Sequence, residues 1–158
     1  MPVGAFGGRA DIMDYIAPVG SVYQAGTLAG NPVALAAGLK NLDILSRHGF
    51  YEALIPKTTR LVEGILEAAK SNNVPMHANQ AGAMFGLFFT DQSEVTSFAE
   101  VNRCNIDRFK QFFHLMLEQG INLAPSAFEL GFVSSAHTDE QIEQTIACAD
   151  KALSQIAD

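Results

Sequence analysis

Tyr23-Gln24-Ala25-Gly26-Thr27-Leu28-Ala29-Gly30-Asn31-Pro32 is the stretch at which this chain changes character. Upstream, residues 1–31 hold six of the 13 glycines: Gly4, Gly7, Gly8, Gly20, Gly26 and Gly30. That density argues against a regular helix, and the segment is too apolar for a solvated linker. Such backbone suits close passage past another chain or a ligand. Downstream the pattern turns helical, with Asn31 placed as an N-cap and Pro32 at the first helical position. The stretch itself offers the Thr27 hydroxyl, glycine amides and an adjacent helix amino terminus. Those are the parts of a phosphate or carboxylate site, and equally of a structural turn. Spacing alone does not separate the two.

Working outward, Val33, Ala36, Ala37, Leu39, Leu42 and Leu45 recur at helical spacing, with Gly49 as the stop. Ala34, Ala36, Ala37 and Gly38 would let a neighbouring element pack closely. A second helix is expected over about 51–71, with Leu54, Leu61, Ile65, Leu66 and Ala69 as its stripe and Pro56 blurring its start. Residues 74–79 and 83–89 read as a hairpin turning at 79–82. Residues 91–99 read as a loop with a short helix. A helix over 107–119 would face Phe109, Phe112, Phe113, Met116 and Leu117 inward and stop at Gly120. Short strands are expected at 121–123 and 132–135, with a loop over 125–131 between them. A final helix over 139–156 has Thr138 as its N-cap. The order describes an α+β unit whose helices cover a small, mostly antiparallel sheet.

Composition narrows the partners. With 158 residues, 48% of them hydrophobic, the chain can bury a domain core. The formal charge of −7 and ten scattered basic residues argue against a nucleic acid partner. No run of apolar residues is long enough for a membrane span, and nothing at the start has signal-peptide form, so a cytoplasmic protein is expected. Cys104 and Cys148 lack the spacing of a metal site, and Cys148 falls in an apolar helical pattern. His48, His77, His114 and His137 show no metal-ligand spacing either, and no metal is expected.

The Gly26-Thr27-Leu28-Ala29-Gly30-Asn31-Pro32 string, with Tyr23-Gln24 before it and Met-Pro-Val-Gly-Ala at residues 1–5, resembles the fold-type I, class III aminotransferases. The likeness covers essentially the whole chain. It implies a pyridoxal 5′-phosphate (PLP) enzyme that works as a homodimer. Residues 1–31 would be a remnant of the large PLP-binding domain and residues 32–158 the small carboxy-terminal domain. By the same resemblance, Thr27 and the Gly26 backbone would reach the cofactor phosphate of the neighbouring subunit, and Tyr23 would stand beside the cofactor.

Within that group three strings are similar to the glutamate-1-semialdehyde aminomutase family: Ser21 to Thr27, Leu123 to Ser134, and Ala136 to Glu140 entering the last helix. That likeness places Glu129 near the substrate. Read from its neighbours alone, Glu129 is either a desolvated carboxylate or a loop carboxylate bound to a backbone amide. Other class III aminotransferases, or a non-catalytic α+β interaction module, are the alternative readings.

Family members are longer and carry their Schiff-base lysine just upstream of the Met-Pro-Val-Gly-Ala segment. Lys40, Lys57, Lys70, Lys110 and Lys151 all fall elsewhere. The expectation is therefore a carboxy-terminal fragment without a catalytic lysine of its own, inactive alone and not retaining PLP. Its segment 1–31 should be disordered, rearranged or engaged in self-association.

Overall fold

The computed structural model describes residues 2–156. Two compact units divide between Phe50 and Tyr51. The compositional boundary at 31/32 marks where glycine-rich chain gives way to helix; the packing boundary lies further on.

In the first unit, one short helical turn, α1 (Ala10–Met13), interrupts the glycine-rich segment. It forms in a stretch of the segment that has no glycine, with Arg9 paired to Asp11 at its start. A tight loop follows and closes on an isolated parallel bridge between Ile16 and Val22. Gly20 is required there, because a β-carbon would collide with the backbone of Asp14 and Tyr15. The helix at Asn31-Pro32 forms as α2 (Pro32–Leu45), with Asn31 Oδ1 accepting from the Val33 and Ala34 amides at 3.0 and 3.1 Å. It ends at Leu45 rather than at Gly49, which takes a positive φ of 83° just before the next helix. The small-residue face of α2 has Val3 against it: a β-carbon at Gly38 would stand 2.8 Å from Val3 Cγ1. The apolar stripe, by contrast, is not internal. Val33, Leu39 and Leu42 are exposed, and only Ala34 is buried in this helix.

The second unit is built on α3 (Phe50–Ser71), β1 (His77–Ala81), β2 (Met84–Phe88), α4 (Phe98–Val101), α5 (Ile106–Glu118), β3 (Gly131–Phe132) and α6 (Asp139–Ile156). α3 runs through Pro56 and buries Leu54, Leu61, Val62, Ile65, Ala68 and Ala69, one stripe at a 3.6-residue period. α6 lies beside it in the same direction. Lys57 pairs with Asp139, Arg60 with Glu143, and Asn72 with Asp150, so the two chains advance together. A Thr138/Gln141 box starts α6: Thr138 Oγ1 accepts from the Gln141 amide, and Gln141 Oε1 accepts from the Thr138 amide.

The sheet is antiparallel, in the order β1-β2-β3. Its hairpin turns later than expected. Ala81 pairs with Met84, so Gly82 and Ala83 alone make the loop, and Asn79 and Gln80 belong to the strand. Gly82 has φ +60°, the conformation a two-residue primed turn demands at its first position. The side chains of Asn79 and Gln80 instead tie the strand down, to the Val95 carbonyl and the Thr59 hydroxyl.

The strand expected at 121–123 does not form. Ile121 N–H closes the end of α5 on the Met116 carbonyl, and Leu123 packs by its side chain beside Phe85 and Phe109. The strand expected at 132–135 shortens to Gly131–Phe132.

Ile65, Phe89, Phe112, Met116, Ala149, Ala152 and Leu153 form the most deeply buried set. Phe89 and Phe112 make a tilted pair with ring centroids 5.5 Å apart. Leu117, expected inward, is 45% exposed, while Cys148 is buried as its pattern implied. No helix among the described residues is long and apolar enough to cross a membrane.

Candidate functional site

The Tyr23–Asn31 stretch folds as two overlapping turns. The Ala29 amide donates to the Gly26 carbonyl at 2.9 Å, and the Asn31 amide to the Leu28 carbonyl at 3.1 Å. Gly30, at φ +71°, takes the left-handed backbone that lets the second turn run into the N-cap. Asn31 is committed to capping α2. The amides of Gly26, Thr27, Leu28 and Gly30 donate to no partner among the described residues. The Thr27 side chain is exposed, and Tyr23 is 83% exposed. No acidic residue occurs between Gly20 and Asp43.

The turn therefore presents neutral donors on an open face, with no carboxylate in that stretch to repel an anion. Such a donor set fits a phosphate group. Beside it runs a groove of about 370 Å³ bordered by Val3, Gly4, Gly26, Leu28, Gly30 and Ala34.

Glu129 lies in the second unit, on the loop that enters β3. The sequence reading left open a desolvated carboxylate there; in this chain Glu129 is exposed. It borders a recess of about 20 Å³ lined by Phe85, Leu87, Phe109, Leu123 and Ala124. That is room for about one water molecule. Its own amide closes a turn on the Ser126 carbonyl at 3.1 Å.

Two of the histidines have structural partners. His137 Nδ1 accepts from the Ser134 amide at 2.9 Å, and its carbonyl accepts from Lys57 Nζ at 2.8 Å. His77 Nε2 lies 3.0 Å from Asn79 Oδ1. Among the described residues no group of three His, Cys, Asp or Glu side chains could hold a metal ion. The Cys104 thiol is pushed up in pKa by burial, which keeps it protonated and inert. Periodicity alone gave no sign of the packing around Glu129; a glycine at 131, opposite Phe85, was its trace.

Residues 1–153 match the family described as Aminotransferase class-III. The fold agrees with solved enzymes of this kind. An omega-transaminase from Sphaerobacter thermophilus superposes with a TM-score of 0.77 at 21% identity, over 95% of this chain and 34% of that one. A β-phenylalanine aminotransferase from Variovorax paradoxus gives 0.73 at 25% identity, over 92% and 33%. A glutamate-1-semialdehyde aminomutase from Pseudomonas aeruginosa PAO1 gives 0.74 at 18% identity, over 92% and 33%. The chain thus spans about a third of the length of these structures. Its small antiparallel sheet with flanking helices is the α+β part of a fold-type I, PLP-dependent transferase. The chain belongs to the class-III aminotransferase family.

Proposed function

We propose that this chain is the carboxy-terminal portion of a glutamate-1-semialdehyde 2,1-aminomutase. That isomerase converts (S)-4-amino-5-oxopentanoate to 5-aminolevulinate for porphyrin synthesis, as a cytoplasmic homodimer. The observation that carries the reading is the open Gly26-Thr27 turn ahead of a capped helix, with its unengaged amides and exposed hydroxyl. The branch within the family rests on the strings around Tyr23, Pro125–Glu129 and His137.

In this reading the Thr27 hydroxyl and the backbone at Gly26 hold the phosphate of PLP bound in the partner subunit. PLP, when bound, supplies an electron sink for the carbons that exchange amino and oxo groups. Tyr23 sets its ring beside the cofactor and excludes water from that side. Glu129, at the rim of an apolar recess, shapes the substrate pocket and offers its carboxylate to the substrate's amino group. None of Lys40, Lys57, Lys70, Lys110 and Lys151 stands where the family places its cofactor lysine. Turnover therefore needs a lysine from another segment, and the chain alone is inactive.

The test is co-expression of this chain with the lysine-bearing amino-terminal portion of an aminomutase, assayed for 5-aminolevulinate and for ordinary transamination. Formation of 5-aminolevulinate, weakened by Thr27→Val through a raised requirement for PLP, is expected. Transamination of other amino donors without 5-aminolevulinate would move the chain to another branch of the family. For the chain by itself, borohydride treatment after PLP addition should trap no lysine adduct. A stoichiometric adduct on one lysine would overturn the reading of an inactive portion.

A further inference from the structure

The loop around Glu129 is anchored at several points although Phe128, Glu129 and Leu130 all reach solvent. Ala127 is buried. Phe128 stacks on Phe98 of α4, ring centroids 5.5 Å apart at 39°. Leu130 covers Gly86 of β2, where a β-carbon would stand 3.4 Å from Leu130 Cδ2 and 3.0 Å from Phe88 Cζ. Gly131 lies under the ring of Phe85, its cross-strand partner: a β-carbon there would meet Cε1 at 2.6 Å and Cε2 at 2.8 Å, with Cζ nearer still. Two hydrogen bonds lock the turn from below. The Phe128 amide donates to Ser126 Oγ at 3.2 Å and the Glu129 amide to the Ser126 carbonyl at 3.1 Å.

The register gives the two glycines different tasks. Gly86 and Gly131 lie on adjacent paired strands and, because strand side chains alternate, on opposite faces of the sheet. On one face the missing side chain at Gly131 admits Phe85. On the other, Gly86 leaves room for the Phe88 ring, and Leu130 rests there in ordinary contact. The chain just beyond Glu129 is therefore held to the sheet at Gly131, beneath the Phe85 ring. Phe98 holds its outer end, although that ring is 73% exposed and contributes little to the core.

We propose that Phe98 and Gly131 are positioning residues for Glu129, forming a seat that fixes the carboxylate at the rim of the recess lined by Phe85, Leu87 and Phe109. The seat rests on the reading of Glu129 as a substrate-facing group. Its purpose is a fixed backbone under one charged side chain, because a group that orients a substrate must itself be held by packing. An exposed aromatic pair such as Phe98–Phe128 is otherwise a poor investment of surface for a soluble unit.

The experiment has two arms. In the 158-residue chain, amide exchange of residues 127–131 is followed for Phe98→Ala and Phe98→Tyr. Exchange in the alanine variant should rise a few-fold to about tenfold, the strength of one aromatic pair, and the tyrosine variant should restore it. Unchanged exchange in Phe98→Ala overturns the seat.

In the co-expressed enzyme, the KM for substrate is compared for Phe98→Ala, Gly131→Ala and Glu129→Gln. A raised KM with kcat little changed in Phe98→Ala, matching the direction of Glu129→Gln and recovered by Phe98→Tyr, supports positioning. If Glu129→Gln shifts KM and Phe98→Ala does not, the positioning role is wrong while the functional reading stands. If Glu129→Gln itself leaves KM unmoved, Glu129 does not face substrate and the seat positions nothing that matters to the reaction.

Discussion

Ile146 of α6 lies directly over Gly64 of α3. A β-carbon at residue 64 would stand 2.5 Å from Ile146 Cδ1 and 2.8 Å from Cγ1. The missing side chain lets the two parallel helices approach at this level, between the Arg60–Glu143 pair and the Asn72–Asp150 hydrogen bond. Gly64→Val should force the helices apart and lower stability by about 1–3 kcal/mol, the usual cost of overpacking. Thermal unfolding of the variant, alone and combined with Ile146→Ala, checks it. The second change should recover part of the loss.

Thr58 is fully buried in α3, and its hydroxyl has no hydrogen-bond partner. A buried, unpaired hydroxyl costs about 1–3 kcal/mol relative to an apolar group of the same shape. Valine has nearly the same shape and helix propensity. Thr58→Val should therefore be neutral or stabilising, moving the urea midpoint upward with an unchanged slope. A clear drop in midpoint would mean that the hydroxyl has a partner in solution.

Glu100 closes a capping box at α4. Its carboxylate accepts from the Thr96 amide at 2.7 Å, the Ser97 amide at 2.9 Å and the Thr96 hydroxyl at 3.0 Å. The Thr96 amide first, then Ser97 and the Thr96 hydroxyl, lower its pKa from 4.5 to about 2. A folded-state pKa below the unfolded one contributes stability above pH 4.5, and that contribution is lost as pH falls from about 4.5 towards 2. Amide exchange at Thr96 and Ser97 should accelerate across that window, and Glu100→Gln should remove the pH dependence. Direct titration of the carboxyl by NMR gives the midpoint.

Asn31 accepts two amide hydrogen bonds at the start of α2 and stands one residue beyond the Gly26–Gly30 turn. Asn31→Ala should cost about 1 kcal/mol locally. It should also raise the amide exchange of Val33 and Ala34, and Asn31→Asp should retain most of the protection. If the turn holds a phosphate as proposed, binding in the co-expressed enzyme should also weaken in the alanine variant without any change to Thr27 itself.

Local chemistry settled a good part of this molecule. α3, α5 and α6 follow from apolar residues at a 3.6-residue period, and their ends from Asn105, Thr138 and the positive φ of Gly120. The start of α2 follows from Asn31 and Pro32, and the Gly26-Thr27 string carried the family by resemblance. These features depend on residues within one or two turns of each other, so the sequence holds all the information.

The rest required partners distant in the chain. The hairpin register turned on which glycine could supply a positive φ in a two-residue loop, and Gly82 displaced Asn79 and Gln80 into the strand. Ile121–Leu123 has strand-like residues, but the sheet edge went to Gly131–Phe132, where a glycine admits the Phe85 ring. The apolar face of α2 was legible as a pattern, yet a pattern does not say what covers it, and in this chain Val33, Leu39 and Leu42 face outward. Glu129 was found by resemblance. Only the tertiary structure decided that the Phe85 ring closes over Gly131 just beyond it while its own side chain stays exposed, because that outcome depends on close approach between strands some 45 residues apart, which no local periodicity encodes.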